Sequence, residues 1–473
     1  NFNGAAITAA LSNPDPAQRL NPFIDARVAG ITQAAIYEKM AIYPSLDTSS
    51  ETRTWDFSAN GDVIDLPGGP VKMAFGGTYN RDAITSDALN YTSGFSGLVA
   101  STSHVEATGH NYALFGELSV PVFGKPNALP LLRRLDLQIA GRYESYSTAR
   151  SQTVPKFGIS WVPFKPLLLR AGYSEGFRPP GLTEHLVALS SFGGSVTDPR
   201  RTPANTTGVI FTTGTHPVMN SETSKTEFYG LVFEPPVVKG LNLQLNYYRT
   251  TQRNVIQSLS GQTIVNNEAI LGDRITRAAP TATDTAANQP GAITGVDITF
   301  INFGKVVNES LDYLADYTLP GERFGRWRVS FDATQTLTST RELGPGLPPL
   351  VDDGDTFAPP KWKFIGSVFW NAGSWNASSF VSYTGGFGTN RAGNSLTFTY
   401  PVPSVYKVDA HVGYDFKNGV WRGHGKGLRV QLGINNVFDK QPPFSDTVFG
   451  YNGGLHSQLV LGRAYEFSFV MPF

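Results

Sequence analysis

Apolar and polar side chains alternate in segment after segment of this chain, and a period of two is the signature of extended strands with one greasy face. Residues 241–249, LNLQLNYYR, put Leu241, Leu243, Leu245 and Tyr247 on one side and Asn242, Gln244, Asn246 and Tyr248 on the other. VKMAFGGTYNR (71–81) sets Val71, Met73, Phe75 and Tyr79 against Lys72, Thr78 and Asn80. LDLQIAGRYESY (135–146) sets Leu135, Leu137, Ile139 and Tyr143 against Asp136, Gln138, Arg142 and Glu144, and LRVQLGINN (428–436) repeats the pattern. The sequence given closes the same way: in LVLGRAYEFSFVMPF (459–473), Tyr465, Phe467, Phe469, Met471 and Phe473 share one face. Such a face is costly in water, so a second protein layer or lipid must cover it.

Composition narrows the choice. At 473 residues the chain could hold several soluble domains, but its 49 Gly, 32 Pro, 12% aromatics and only 16% charged residues argue against that division. A formal net charge of zero offers no field to draw nucleic acid, and the absence of Cys removes disulfides and thiolate metal sites. No apolar run reaches the length of a membrane-spanning helix. The alternating segments instead have about the 9–11 residues a tilted strand needs to cross a bilayer, with aromatics clustered at their ends. Connections alternate between short ones, such as Leu66–Pro70, Pro163–Pro166 and Asn371–Ser374, and long ones at 82–106, 177–221, 251–305, 341–360, 386–401 and 438–459. Placing short turns on one rim and long loops on the other predicts about fifteen strands. They begin near 52, 71, 107, 133, 154, 166, 222, 240, 306, 326, 361, 374, 402, 427 and 460. Residues 1–51 then form a loop segment on the long-loop side, with a short amphipathic helix in VAGITQAAIYEKMA, and 52–473 form the barrel. A soluble propeller or β-solenoid is the competing reading; it lacks the expected repeat, and the terminal strand carries no Lys to guard an edge.

Several stretches resemble one family, the TonB-dependent outer-membrane transporters of Gram-negative bacteria. LLLRAGYSEGFRPPGLTEHL (167–186) is similar to its strand that breaks at Phe177-Arg178-Pro179-Pro180 into a long loop. GDVIDLPGGPVKMAFGGTYNRD (61–82) resembles a strand, Pro-Gly-Gly turn and strand, and LRVQLGINNVFDKQPP with LGRAYEFSFVMPF resembles the last two strands. The resemblance implies an antiparallel transmembrane β-barrel in the outer membrane, incomplete here relative to 22 strands around a plugged lumen. It implies that the plug domain of the full-length chain and the first strands lie upstream, in agreement with a first segment that has no Met or leader. It further implies as partners lipid, the plug, the energy-coupling protein TonB through that upstream part, the barrel-assembly machinery and a small-molecule ligand. In that reading Tyr465, Phe467, Phe469, Met471 and Phe473 are an assembly signal.

The function so implied is energised uptake of a scarce, bulky nutrient such as a ferric siderophore, with a passive porin-like channel as the alternative. Asp136, Gln138, Arg142, Glu144, Asn242, Gln244 and Asn246 would face the plug across the lumen, since mixed charges suit hydrogen bonding to a removable body. Ligand contacts are expected at loop tips from Arg178, Glu184, His185, Arg200, Arg201, Arg391, Tyr400, Phe449, Tyr451 and His456, because Arg and aromatics suit an anionic chelate or a sugar. For each, a solvated loop residue is the plainer reading, and Arg178 beside Pro179-Pro180 could brace its loop. No enzyme is expected: the seven His are scattered, with no HExxH pair and no GxSxG elbow. No cofactor or resident metal is expected. Asp352, Asp353 and Asp355 have oxygen ligands that suit Ca²⁺, with a solvated acidic loop the favoured reading.

Overall fold

The computed structural model describes residues 4–22, 34–41, 45–94, 97–182, 184, 189–214, 219–319, 321, 324–344, 346–347, 349–351, 359–389, 400–417, 427–445 and 450–471. The strands, in chain order, begin with β1 (Ser45–Leu66), β2 (Gly69–Gly94), β3 (Gly97–Phe123), β4 (Arg134–Tyr146), β5 (Gln152–Phe164), β6 (Leu167–Arg178), β7 (Ser190–Thr197) and β8 (Asn205–Thr213). They continue with β9 (Glu222–Phe233), β10 (Leu241–Gln257), β11 (Ile275–Arg277), β12 (Ile293–Asp297), β13 (Ile301–Leu319), β14 (Arg326–Glu342) and β15 (Leu350–Val351). The last are β16 (Trp362–Ala372), β17 (Trp375–Thr384), β18 (Phe387–Thr389), β19 (Tyr400–Val402), β20 (Val405–Phe416), β21 (Leu428–Asn435) and β22 (Ala464–Val470).

Fifteen of these run up and down in one antiparallel sheet, in the order β1-β2-β3-β4-β5-β6-β9-β10-β13-β14-β16-β17-β20-β21-β22, with β15 added beside β14. The expected strand number is thus met, and β1 and β22 are its two edges. Register explains why the alternation works as a wall. Residues directly opposite in adjacent strands share a face, and one row runs Leu169, Leu231, Leu245, Tyr313, Ala333, Phe364, Tyr383, Tyr406 across eight strands. A row on the opposite face runs Asp136, Ser160, Arg170, Gly230, Asn246, Asp312, Thr334, Lys363, Thr384. Among the described residues no protein layer covers the apolar face: Tyr229, Leu231, Leu245, Phe331, Leu432 and Phe467 are all exposed. No helix among the described residues is long and apolar enough to cross a membrane.

One expectation is overturned. Residues 82–106 were expected as a long loop, but β2 and β3 pair continuously from Lys72↔Ser119 to Gly94↔Gly97. β1, β3 and β13 accordingly start at 45, 97 and 301 rather than 52, 107 and 306. The polar residues there do not end the strands, because ladder hydrogen bonds form in water as well as in lipid. Polar cross-strand pairs add to them: Thr48 and Ser86 hydroxyls lie 3.1 Å apart, and the Thr52 hydroxyl donates to Asp82 at 2.8 Å. At the other end, β22 begins only after Gly462, whose φ of +64° makes the turn, and Asp439 accepts from the Arg463 N–H at 2.8 Å. The helix expected near the start is described as Ala34–Met40, preceded by a second helix at Gly4–Leu11.

The buried hydrophobic cluster lies outside the wall. β7, β8, β11 and β12, from the connections after β6 and β10, form a second sheet in the order β11-β12-β8-β7. Val209, Ile264, Val265, Leu271, Ile293 and Val296 pack against it with almost no exposure. Two long loops thereby become one folded cap on the long-connection rim.

Candidate functional site

The cap and the rim below it hold most of the charged groups expected to meet a ligand. Arg178 ends β6, and its guanidinium is shared between two carboxylates: Nε and Nη2 donate to Glu222 at 2.9 and 2.7 Å, Nη1 and Nη2 to Glu184 at 2.8 and 3.1 Å. Glu184 also accepts the Gly181 N–H at 2.7 Å, and Glu222 the Ile256 N–H at 2.8 Å. The fork ties the start of one long connection to its return strand and to β10, which is a bracing geometry.

Inside the cap, Arg277 holds Asp198 at 2.6 and 3.2 Å and Glu268 at 2.8 and 2.6 Å. Arg200 adds a contact to Glu268 at 3.3 Å, and its backbone N–H donates to Asp198 at 3.0 Å. Arg201 pairs with Asp284 at 2.8 Å and also donates to the Pro290 carbonyl. Burial pushes the Asp198 carboxyl up, but Arg277 and the Arg200 N–H outweigh it and the net shift is down. Glu268 is lowered chiefly by Arg277, and Asp284 is pushed down to about 2 by the Thr281 N–H and Arg201. Arg200 keeps an exposed head; Arg201 is largely covered.

A second packed centre involves the last long connection. His456 is fully buried and stacks on Phe387 of β18, with centroids 5.9 Å apart and planes 15° from parallel. Neither ring nitrogen has a hydrogen-bond partner among the described residues, and burial pushes the imidazole down. Tyr451 is half-buried nearby in sequence. Tyr400 lies in β19, opposite Thr389. His185, Arg391, Phe449 and Phe473 lie outside the described residues, as do Asp352, Asp353 and Asp355. Among the described residues no group of three or more acidic or His side chains could hold a metal ion.

The polar face of the wall is hydrogen-bonded within itself. Gln138 donates to Glu117, Arg134 to Asp136 at 2.6 Å, and Arg142 and Tyr146 both to Glu144. Asn242 donates to Glu234 at 3.2 Å and Gln244 to Asn242 at 3.1 Å, while Asn246 accepts from Arg170 at 3.0 Å. Tyr465, Phe467, Phe469 and Met471 are exposed in one stripe on the other face, from β22 to the residue just past its end. Sequence reasoning missed Arg170, Glu222, Asp198, Glu268 and Arg277. Arg170 had a local signal, a lone cation on the polar phase of LLLRAGY; Asp198 and Arg277 stand 79 residues apart and had none.

An open-faced antiparallel wall with exposed aromatics outside, a hydrogen-bonded polar face inside and folded loops on one rim defines the wall of an outer-membrane β-barrel. The family model described as "TonB dependent receptor-like, beta-barrel" matches residues 11–437, and the chain belongs to that family, whose members are receptors and transporters of the Gram-negative outer membrane. Solved structures show the same fold. The ferric enterobactin receptor PfeA of Pseudomonas aeruginosa, as a mutant in complex with enterobactin, has a TM-score of 0.61 at 15% identity, over 92% of this chain and 56% of that one. The siderophore receptor PirA of Acinetobacter baumannii has a TM-score of 0.62 at 15% identity, over 93% and 57%. The ferric-catecholate import receptor Fiu of Escherichia coli has 0.56 at 14% identity, over 90% and 55%. The chain therefore spans a little over half the length of the receptors it matches. No curated protein matches it.

Proposed function

We propose that this chain is the greater part of a receptor barrel for TonB-dependent uptake of a scarce, bulky nutrient, with a ferric siderophore as the ligand class. The observation that carries the reading is the cap: two long connections fold into one ion-paired body standing on the rim of a wall whose inner face is polar. A passive pore gains nothing from so rigid a vestibule, whereas a receptor needs fixed surfaces to recognise a large ligand. The likeness to siderophore receptors supports the ligand class at the level of fold.

In this reading the residues before β1, 1–44, belong to the loop side and 45–473 to the barrel, with the long connections extracellular. The ligand surface comprises the exposed heads of Arg178 and Arg200 together with Tyr400, Tyr451, Arg391, His185 and Phe449; Glu184, Arg201 and His456 hold that surface in shape. The lumen residues Asp136, Gln138, Arg142, Glu144, Asn242, Gln244 and Asn246 face a removable plug from the rest of the full-length chain, through which TonB delivers energy. Hydrocarbon does not tolerate the open edges of β1 and β22, so further strands complete the wall. The test is growth under iron limitation on single ferric siderophores, comparing strains with and without the gene and with TonB inactivated. Growth that needs both the gene and TonB supports the reading. Uptake that continues without TonB, with steady ion conductance of the purified protein in lipid, supports the porin instead.

A further inference from the structure

The outer surface of the wall carries a charge pattern on β1, β2 and β3 that the uptake reading leaves without a role. Rising from the turn at Leu66–Gly69, β2 presents Met73, Phe75 and Tyr79 outward, all exposed. That stretch has about the 9–11 residues that carry a tilted strand across hydrocarbon. At its top three rings stand directly opposite one another on the three strands: Trp55, Tyr79 and Tyr112. Trp55 and Tyr79 have centroids 5.6 Å apart, and the row forms one piece of an aromatic belt at the membrane surface. The next outward-facing row, about 6–7 Å further along the strands, is Arg53, Arg81 and His110, again directly opposite one another. All three are exposed.

Cations set side by side repel, and directly opposite in a sheet they cost stability unless an anion lies between them. The described residues supply little to neutralise them. Arg53 turns back along its own strand to Glu51. Glu51 is the one carboxylate in the row above, which otherwise holds Ala83 and Thr108. Asp82 lies on the other face, where it accepts from the Thr52 hydroxyl. Arg81 has no hydrogen bond or ion pair among the described residues. His110 is steadied by stacking on Tyr79, with centroids 6.2 Å apart and planes 29° from parallel. On β9, β10 and β13 the same level is self-neutral. Above the Tyr229–Tyr247 pair, the next row reads Glu227, Arg249, Glu309, and Arg249 lies 3.2 Å from Glu309. The basic row is therefore local to β1–β3.

We infer that this strip binds the phosphorylated head of an acylated sugar lipid in the outer leaflet. A phosphate lies at Arg81 and His110 with Arg53 at its flank, and acyl chains run down the exposed stripe of Phe57, Phe75 and Leu114. From the uptake reading the inference takes only its orientation, with the long connections outside the cell. The site is on the outside of the wall, away from the lumen. Strands that join the β1 edge extend this face sideways and do not cover it. A sugar lipid with more than one phosphate is favoured over a phospholipid, because a row of cations about 10 Å long, two strand spacings, outspans a single phosphodiester. A soluble anion is disfavoured because the row stands on rings at the edge of hydrocarbon, where acyl chains add apolar burial.

The test uses the full-length natural chain, stripped of lipid and held in a neutral detergent, with bound lipid counted by native mass spectrometry. It is titrated with diphosphorylated lipid A, the dephosphorylated form, phosphatidylglycerol and inorganic phosphate. Diphosphorylated lipid A is expected to bind saturably and to displace phosphatidylglycerol. The dephosphorylated form should bind about tenfold more weakly or worse, and R81Q should weaken lipid A binding by about as much, as loss of a charge-assisted contact does. R81K should retain most of the affinity. R249Q, which removes an exposed cation at the same level, should leave it unchanged; heat-modifiable migration checks that each variant is a folded barrel. Equal binding of the phosphorylated and dephosphorylated forms overturns the site, as does an affinity that R81Q and R249Q change alike. Phosphatidylglycerol binding as tightly as lipid A means an unselective lipid shell, and displacement of lipid A by equimolar inorganic phosphate means a free-anion site; either result overturns the proposal. Binding is read without TonB or transport, so its failure leaves the uptake reading standing, and failed uptake leaves a measured lipid site standing.

Discussion

At the residue scale, the cap depends on charges taken out of water in pairs. Asp198 has no exposed side-chain surface, and Arg277 is its main cation. Arg277→Met should leave that carboxylate buried and uncompensated, at about 3–5 kcal/mol; faster proteolytic nicking of the cap, with the wall still folded, would show it. Acid should act in two windows. His456 is held neutral with its pKa pushed down, so the unfolded loop takes up a proton first, and the packing around Phe387 weakens as pH falls below about 6.5. His456→Phe should remove that first loss, measured as hydrogen-exchange protection of 384–389 between pH 7 and pH 5. The carboxylates of Asp198, Glu268 and Asp284 are lowered, so their contribution is present above about pH 4 and lost only below it. Little of this was legible in the sequence. Arg200, Arg201 and His456 were found because they are the right types in loops, but which of them holds the loop together depends on partners dozens of residues away, and no local pattern encodes those.

The strands lie at the opposite extreme. A one-residue shift turns every side chain over, so the phase of Leu241, Leu243 and Leu245 against Asn242, Gln244 and Asn246 determines which face each residue takes. That is why strand starts such as 222 and 326 could be read directly, and why β10 pairs β9 and β13 in the register its alternation demands. A substitution test follows from the same phase. Leu245→Arg puts a charge on the lipid face near mid-depth, at about 2–4 kcal/mol, and should lower the heat-modifiable folded fraction on gels. Gln244→Arg, one residue away and facing inward, should leave that fraction unchanged. Strand ends were less legible. Alternation in polar residues looks like loop, and only the ladder from Lys72 to Gly94 shows that β2 does not stop at the membrane.

For the whole molecule, the sheet has no soluble-type core because its apolar face is turned to lipid, and the tightly packed cluster is found in the loops. The sequence pointed to lipid through aromatic stripes and the lack of a second layer to cover them; it could not show that two separate connections would merge into one body. The last strand allows assembly to be separated from general greasiness. Phe467→Ser and Phe469→Ser should cut the amount of protein assembled in outer membranes well below that of Phe331→Ser, which removes a similar exposed ring from the middle of the sheet. Equal losses would mean that position in the chain does not matter.

The β2–β3 hairpin sets how the protein meets its surroundings. Strands of 26 and 27 residues rise roughly 85 Å along their length, or about 65 Å in height at the usual tilt, of which the hydrocarbon takes about 25 Å. Some 40 Å of paired backbone therefore lies outside the hydrocarbon, and since a bilayer with its head-groups is about 40–45 Å thick, about 20 Å of it stands beyond the head-groups like a mast. An antibody raised against its outer half should label intact cells, whereas one against the short turn at Leu66–Gly69 should label them only after the envelope is breached.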